Sequence, residues 1–218
     1  MDPHIDALGI GVAVRDVAVL LDAFPEPNRK YQAKDMFDTG GGPVPTALVT
    51  LSRLGRKVSF AGVVGDNAAG RFIVESLEQE NVDTKAVVFR AGFHSPTSVI
   101  LVENDRRTIL ECWQYNLPLR FDELEPKDIP WQNIRFLLVD ARLVEIQIEA
   151  AKRIRNAGGR VVLDCGHPRP GVDELLSFID IALFSYTYPK ALYGEDYDIA
   201  DFLDRIRSRQ PKDGPRIA

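Results

Sequence analysis

Along this chain, short runs of apolar residues alternate with longer stretches in which apolar positions recur at helical spacing. Ala7 to Val14 (A-L-G-I-G-V-A-V) is almost wholly apolar, the pattern of a strand buried on both faces and the expected first strand of a sheet. Val58 to Val63, Val87 to Phe89, Arg135 to Val139, Val161 to Leu163 and Ile181 to Phe184 repeat that signal. Helical spacing separates them. A helix is predicted from Pro43, with Leu48, Leu51 and Leu54 on one stripe and Gly55 as its cap. Others are predicted over Asn67 to Glu80, with Asp66 as a structural cap, over Glu145 to Ala157, and in two short pieces at Tyr188 to Gly194 and Ile199 to Arg207, with Asp198 a cap for the second. This βαβ rhythm demands a mainly parallel sheet with helices on both faces, a doubly wound α/β fold.

Two β-rich inserts interrupt the rhythm. Tyr31 to Phe37 alternates loosely after a loop broken at Pro25 and Pro27, and Thr97 to Glu103 and Thr108 to Cys112 flank Asn104-Asp105-Arg106-Arg107, a hairpin signal. Thr39-Gly40-Gly41-Gly42 opens straight into the first predicted helix, a hinge that lets a ligand or another strand approach the main chain. Pro43 and Pro45 remove amide donors from that helix start, which argues against an anion site there.

The candidate chemistry gathers on one rim. Asp16 follows the first predicted strand, Asp140 and Arg142 follow the strand ending at Val139, and Asp164 follows the strand ending at Leu163, all at carboxyl ends, where open α/β sheets place ligands. A carboxylate accepts hydrogen bonds from two neighbouring hydroxyls, so acids on that rim suit a polyhydroxylated ligand. Asp38-Thr39-Gly40 matches the D-T-G of aspartic proteases, but Gly41 and a helix follow where that motif needs a Ser or Thr and an all-β setting.

Composition narrows the class. With 45% hydrophobic and 27% charged residues the chain can bury one substantial core, and a net charge of -5 with a pI near 5.3 argues against a general binder of nucleic acid or acidic membrane. The N-terminus lacks a cationic segment followed by a long apolar one, and no apolar stretch approaches the roughly 20 residues that span a bilayer, so the cytoplasm is the expected location. Cys112 and Cys165 fit neither a disulfide framework nor a zinc site.

The ordered block from Gly41-Gly42 through L-G, a short strand, G-V-V-G-D-N-A-A-G, a helix and N-V-D resembles the N-terminal signature of the PfkB (ribokinase-like) carbohydrate kinases. The resemblance implies a ribokinase-like fold with a small β lid built near residues 14–40 and 90–112, ATP and magnesium as cofactors, a small sugar as acceptor, and dimerisation through the lid. It implies sugar contacts from Asp16, Gly41, Gly42 and Thr46, the last standing where the family carries Asn, with Val14 in place of the Asn that precedes the sugar aspartate. His94, Ser95 and Thr97 fall where the lid returns to the sugar. Asp140-Ala141-Arg142 and Asp164-Cys165-Gly166-His167-Pro168-Arg169 look like the ketohexokinase branch, which adds Asp140 and Arg142 to the substrate site and Asp164 and Ser185 to the nucleotide and magnesium vicinity.

The resemblance has gaps. Ser185-Tyr186-Thr187-Tyr188 occupies the place of the N-x-x-E tied to magnesium and phosphate, without its acid, and no G-A-G-D, which carries the family's base aspartate, occurs in the sequence. No catalytic residue is therefore assigned within the chain, which is expected to be one incomplete domain, the sugar-binding half of a longer kinase and not competent alone. The competing expectation is a non-catalytic sugar-binding or dimerising relative on the same fold.

Overall fold

The computed structural model describes residues 4–112 and 117–213. In chain order these form β1 (Ile5–Ile10), β2 (Val14–Leu21), β3 (Asp35–Gly41), α1 (Pro43–Arg53), β4 (Val58–Gly65), α2 (Ala68–Gln79), β5 (Asp83–Arg90), β6 (Thr97–Glu103) and β7 (Arg106–Glu111). There follow β8 (Ile134–Val139), α3 (Val144–Asn156), β9 (Arg160–Cys165), α4 (Val172–Leu176), β10 (Ile181–Phe184), α5 (Thr187–Tyr193) and α6 (Ile199–Arg209), with three short 3-10 turns between β7 and β8.

A six-stranded sheet in the order β10-β9-β8-β1-β4-β5 pairs in parallel throughout. All eight residues of β4 are buried, which accounts for its unbroken apolar run. The two faces of the sheet carry separate clusters. Ala7, Phe60 and Val87 pack with Val44 and Leu48 of α1 and Ile73 and Leu77 of α2; Leu8, Ile10, Leu137 and Leu163 pack with Ile146, Ala150 and Ile154 of α3 and Phe202 and Ile206 of α6. A Cβ on Gly9 would stand 2.4 Å from Val44, so α1 lies directly on β1. Among the described residues no helix is long and apolar enough to cross a membrane.

The remaining strands form a second, four-stranded sheet in the order β3-β2-β6-β7, with β2 and β6 parallel and both outer pairs antiparallel. Its β6–β7 turn is the predicted hairpin, with Asn104 in the left-handed conformation at φ 53°.

Several boundaries differ from the sequence expectation. The apolar run from Ala7 to Val14 is not one strand: β1 stops at Ile10, residues 11–13 cross between the sheets, and Val14 opens β2. The cause is distant, because the Asp140 carboxylate takes the Val12 amide at 2.7 Å and ends the ladder there. Thr39 to Gly41 are the end of β3 rather than a loop, and Gly42 alone of that run has a positive φ, 99°, where a Cβ would stand 2.3 Å from the Val12 carbonyl oxygen. Leu54 leaves the apolar stripe of α1 and is 70% exposed, because Val44, Leu48 and Leu51 already fill that face. The cap of α2 is Asn67, whose Oδ1 accepts from the Gly70 amide at 3.0 Å, while Asp66 pairs with Arg71.

Candidate functional site at the junction of the two sheets

The order of the parallel sheet fixes where a ligand can sit. The chain lays down β1, β4 and β5 in one direction, then returns to place β8 on the other side of β1. The crevice beyond the carboxyl ends of β1 and β8 is thus the switch point of the fold. Asp140 stands in it, 3% exposed. Its Oδ2 accepts from the Val12 amide, and its Oδ1 accepts from the Arg142 amide and from Gln147 Nε2, both at 3.0 Å. Gln147 also donates to the Ile10 carbonyl at 2.8 Å. Burial pushes the Asp140 carboxyl above its ordinary range, against the lowering effect of those hydrogen bonds. A Cβ on Gly11 would lie 2.4 Å from Asp140 Oδ2, so only glycine lets the strands approach there.

Asp140 therefore joins the β8 rim to the crossing between the sheets. The sequence expectation of a substrate ligand is corrected to this extent: its oxygens are engaged by the chain itself, and its effect on a ligand passes through the groups it positions.

Asp16 is carried by that crossing. It lies within β2 rather than in a loop after the first strand, in register with Thr39 on one side and Ser98 on the other, and Ser98 is in register with Glu111. Strand alternation puts all four on one face of the second sheet. The Ser98 hydroxyl is buried and bonds to Asp16; burial of the carboxyl outweighs that bond and the nearby Arg107 charge, so its pKa is raised. A Cβ on Gly41 would stand 2.0 Å from Asp16 Oδ2, which makes Gly41 a requirement of the carboxylate's position. Thr46 is exposed in the first turns of α1. Thr46, Gly41 and Thr39 border a cleft of about 300 Å³ that extends behind the second sheet to Arg53, Ser76 and Glu80, away from the Asp16 carboxylate.

At the other end of the row, Arg142 Nη2 approaches Glu111 Oε1 at 3.5 Å and bridges the two sheets. Arg169 shares with Arg142 a cleft of about 720 Å³ bordered by Ile109, Leu110, Glu111 and His167. Burial, with the positive charge of Arg142 next, lowers the pKa of Arg169.

Other predicted residues stand elsewhere. Thr97 is in register with Arg15, whose guanidinium lies over the Phe72 ring on the opposite face, so the β6 side chain on the Asp16 face is Ser98. Ser95 accepts from the Gly65 amide at 2.8 Å and donates to Asn67 Oδ1 at 3.1 Å, a structural tie between β4 and α2, while His94 is exposed. Asp164 lies inside β9 opposite Leu183 rather than beyond the strand end, and burial raises its pKa.

The Asp164 and Ser185 region does not fit a magnesium site. Ser185 and Thr187 both donate to the Gly166 carbonyl, at 2.7 and 3.0 Å. Tyr188 is buried with its ring 4.5 Å from that of Phe184, and its hydroxyl is pushed up to about 12 by burial. Among the described residues no group of three His, Cys, Asp or Glu side chains could hold a metal ion. Burial likewise pushes the Cys165 thiol up to about 11, an unreactive form.

Comparison with known proteins places these features. The profile of the pfkB family carbohydrate kinases matches residues 5–211. A nucleoside kinase of Methanothermobacter thermautotrophicus is 31% identical over 109 residues, covering 50% of this chain and 35% of that protein. Mouse ketohexokinase is 24% identical over 196 residues, covering 85% of this chain and 65% of that protein. The chain thus spans less than two thirds of the length of these curated relatives. The structure of Arabidopsis thaliana ribokinase complexed with ribose and ATP superposes with a TM-score of 0.74 at 22% identity, covering 96% of this chain and 70% of that one, which shows the ribokinase-like fold.

Proposed function

The chain belongs to the pfkB family of carbohydrate kinases, and on that premise we propose that it carries the acceptor half of an ATP-dependent sugar kinase. The observation that carries this reading is the Asp16 row, an acid, a serine and a second acid on one face of the second sheet, opening toward Arg142 at the switch point. Asp16 in its ionised form accepts hydrogen bonds from two neighbouring sugar hydroxyls, with Ser98 fixing the carboxylate and Gly41 leaving it room. Gly42 and Thr46 line the approach from α1, and the second sheet acts as the lid. Bound ATP, as named with the Arabidopsis ribokinase, would supply the phosphoryl group. No residue of this chain is assigned as the base, and no step is drawn through magnesium.

The D-A-R and D-C-G-H-P-R pieces favour a ketose among neutral acceptors. Self-association through the second sheet is proposed from its exposed Met36, Phe37, Ile109 and Leu110, apolar side chains on strands that include both sheet edges. A monomer by sedimentation would remove that part. The non-catalytic alternative is favoured by Tyr188, which fills the position of the family's acid with a buried ring. Sugar-dependent ATP consumption by the 218 residues, measured in a coupled assay, would exclude it and the proposed incompetence together.

Calorimetry on Asp16→Ala tests the acceptor reading. Losing one or two charge-assisted hydrogen bonds of about 1.5–3 kcal/mol each weakens sugar binding by at least about tenfold. Wild-type affinity falls on acidification through a pKa above the carboxylate reference of 3.8, because protonation removes an acceptor. Unchanged affinity in a folded variant would put the pocket elsewhere.

A further inference from the structure

Building on the acceptor reading of Asp16, we infer that the acceptor carries an oxyanion of its own, a carboxylate or a phosphate, held by Arg142 and Arg169 at the end of the site opposite Asp16. Asp16 and Glu111 lie two strands apart on one face, roughly 10 Å at the usual strand spacing. Arg142 is 3.5 Å from Glu111, so its guanidinium marks the far end of that row. A five- or six-carbon sugar with one terminal oxyanion fills such a span, with hydrogen bonds of about 2.8 Å at each end.

The chemistry of the far end favours an anion. Arg142 and Arg169 border one cleft with His167, and Arg169 is close enough to feel the positive charge of Arg142 while partly removed from water. Two guanidiniums in such a place repel each other, and the repulsion is offset by negative charge from Glu111 and from an oxyanion between them. The planar donor fork of arginine matches carboxylate and phosphate in pairs of hydrogen bonds, a match that a sugar hydroxyl cannot provide. Arg142 is also fixed in place: its amide is tied to Asp140, and its side chain is only 14% exposed. A neutral sugar would engage the Asp16 end and leave this end without its complement.

Calorimetry on the 218-residue chain separates the possibilities, using a neutral ketose, the same ketose with a terminal phosphate, a sugar acid of equal length, and inorganic phosphate. The anionic sugars bind at least tenfold more tightly than the neutral one. That preference falls below about threefold in Arg169→Gln and in Arg142→Gln, each verified as folded by thermal melting, and high salt weakens only the anionic ligands. Equal binding of neutral and anionic sugars to the unaltered chain overturns the inference and leaves the acceptor reading standing, as does a preference that survives both arginine variants. Inorganic phosphate binding as tightly as the sugar phosphate also overturns it, because the oxyanion would then be a free or nucleotide phosphate. Anionic sugars that bind independently of Asp16 would sink the acceptor reading while the arginine site stood. If none of the sugars binds, both fail.

Discussion

The two ends of the parallel sheet each bury an aspartate, and they use it in opposite ways. At the amino end, Asp180 is 1% exposed just before β10 and accepts from Arg155 at 2.6 Å, Arg160 at 3.1 Å and the Val161 amide at 2.8 Å; Arg155 extends the network to Asp213, and Gln210 donates to the Asp180 carbonyl. Opposite charges close that end. At the carboxyl end, no ion pair holds Asp140: it accepts from amides, and it holds apart two sheets that diverge to leave a crevice. A buried acid matched by guanidinium is a clasp, whereas one matched by amides positions the segments that supply them.

That contrast is most exposed to failure at Asp180. Asp180→Ala leaves Arg155 partly buried and without its main partner, a loss of about 3–5 kcal/mol expected for breaking a buried pair from one side. Denaturant unfolding should show it, with sugar affinity unchanged where the protein stays folded. A loss below about 1 kcal/mol would mean the amino end is not clasped by charge.

A smaller effect is expected from Asp140→Asn. Its new amide must face the Val12 amide or the Gln147 and Arg142 donors, and one buried N–H loses its acceptor, a cost of about 1–3 kcal/mol. Hydrogen exchange at Val12 should quicken, and sugar affinity should fall because the crossing carries Asp16. The pH dependence follows from the raised pKa. Between the unfolded value near 3.8 and the raised folded value, the unfolded chain has released its proton and the folded one has not, so wild-type stability declines as pH rises through that window. Asp140→Asn removes this decline, and an unaltered slope would show that Asp140 titrates normally.

The smallest effect is assigned to Ser185→Ala. Thr187 still donates to the Gly166 carbonyl after the change, so about 1 kcal/mol or less is expected in unfolding experiments. A large loss of sugar affinity would instead make Ser185 a ligand-binding residue and weaken the structural account of the β10 end.

Local pattern determined much of this protein. The buried run at Val58, the helix that Asn67 caps and the return strand to Arg90 are legible because each is set by neighbours within a few residues. The glycine pair at Gly41 and Gly42, the acid at Asp16 and the rim position of Arg142 were likewise visible, since strand order alone brings carboxyl ends together. Tertiary structure decided the rest. Ala7 to Val14 reads as one strand until an acid 128 residues away from Val12 takes its amide. Thr97 and Ser98 are equal candidates until pairing with β2 fixes the register, because shifting a strand by one residue exchanges its faces. Glu111 and Arg169 gave no local signal; they belong to the site because β7 pairs with β6 and the β9 loop folds back beside Arg142. Spacing along a chain encodes periodicity, whereas the face a side chain presents and the charge it meets depend on partners that only the folded sheet supplies.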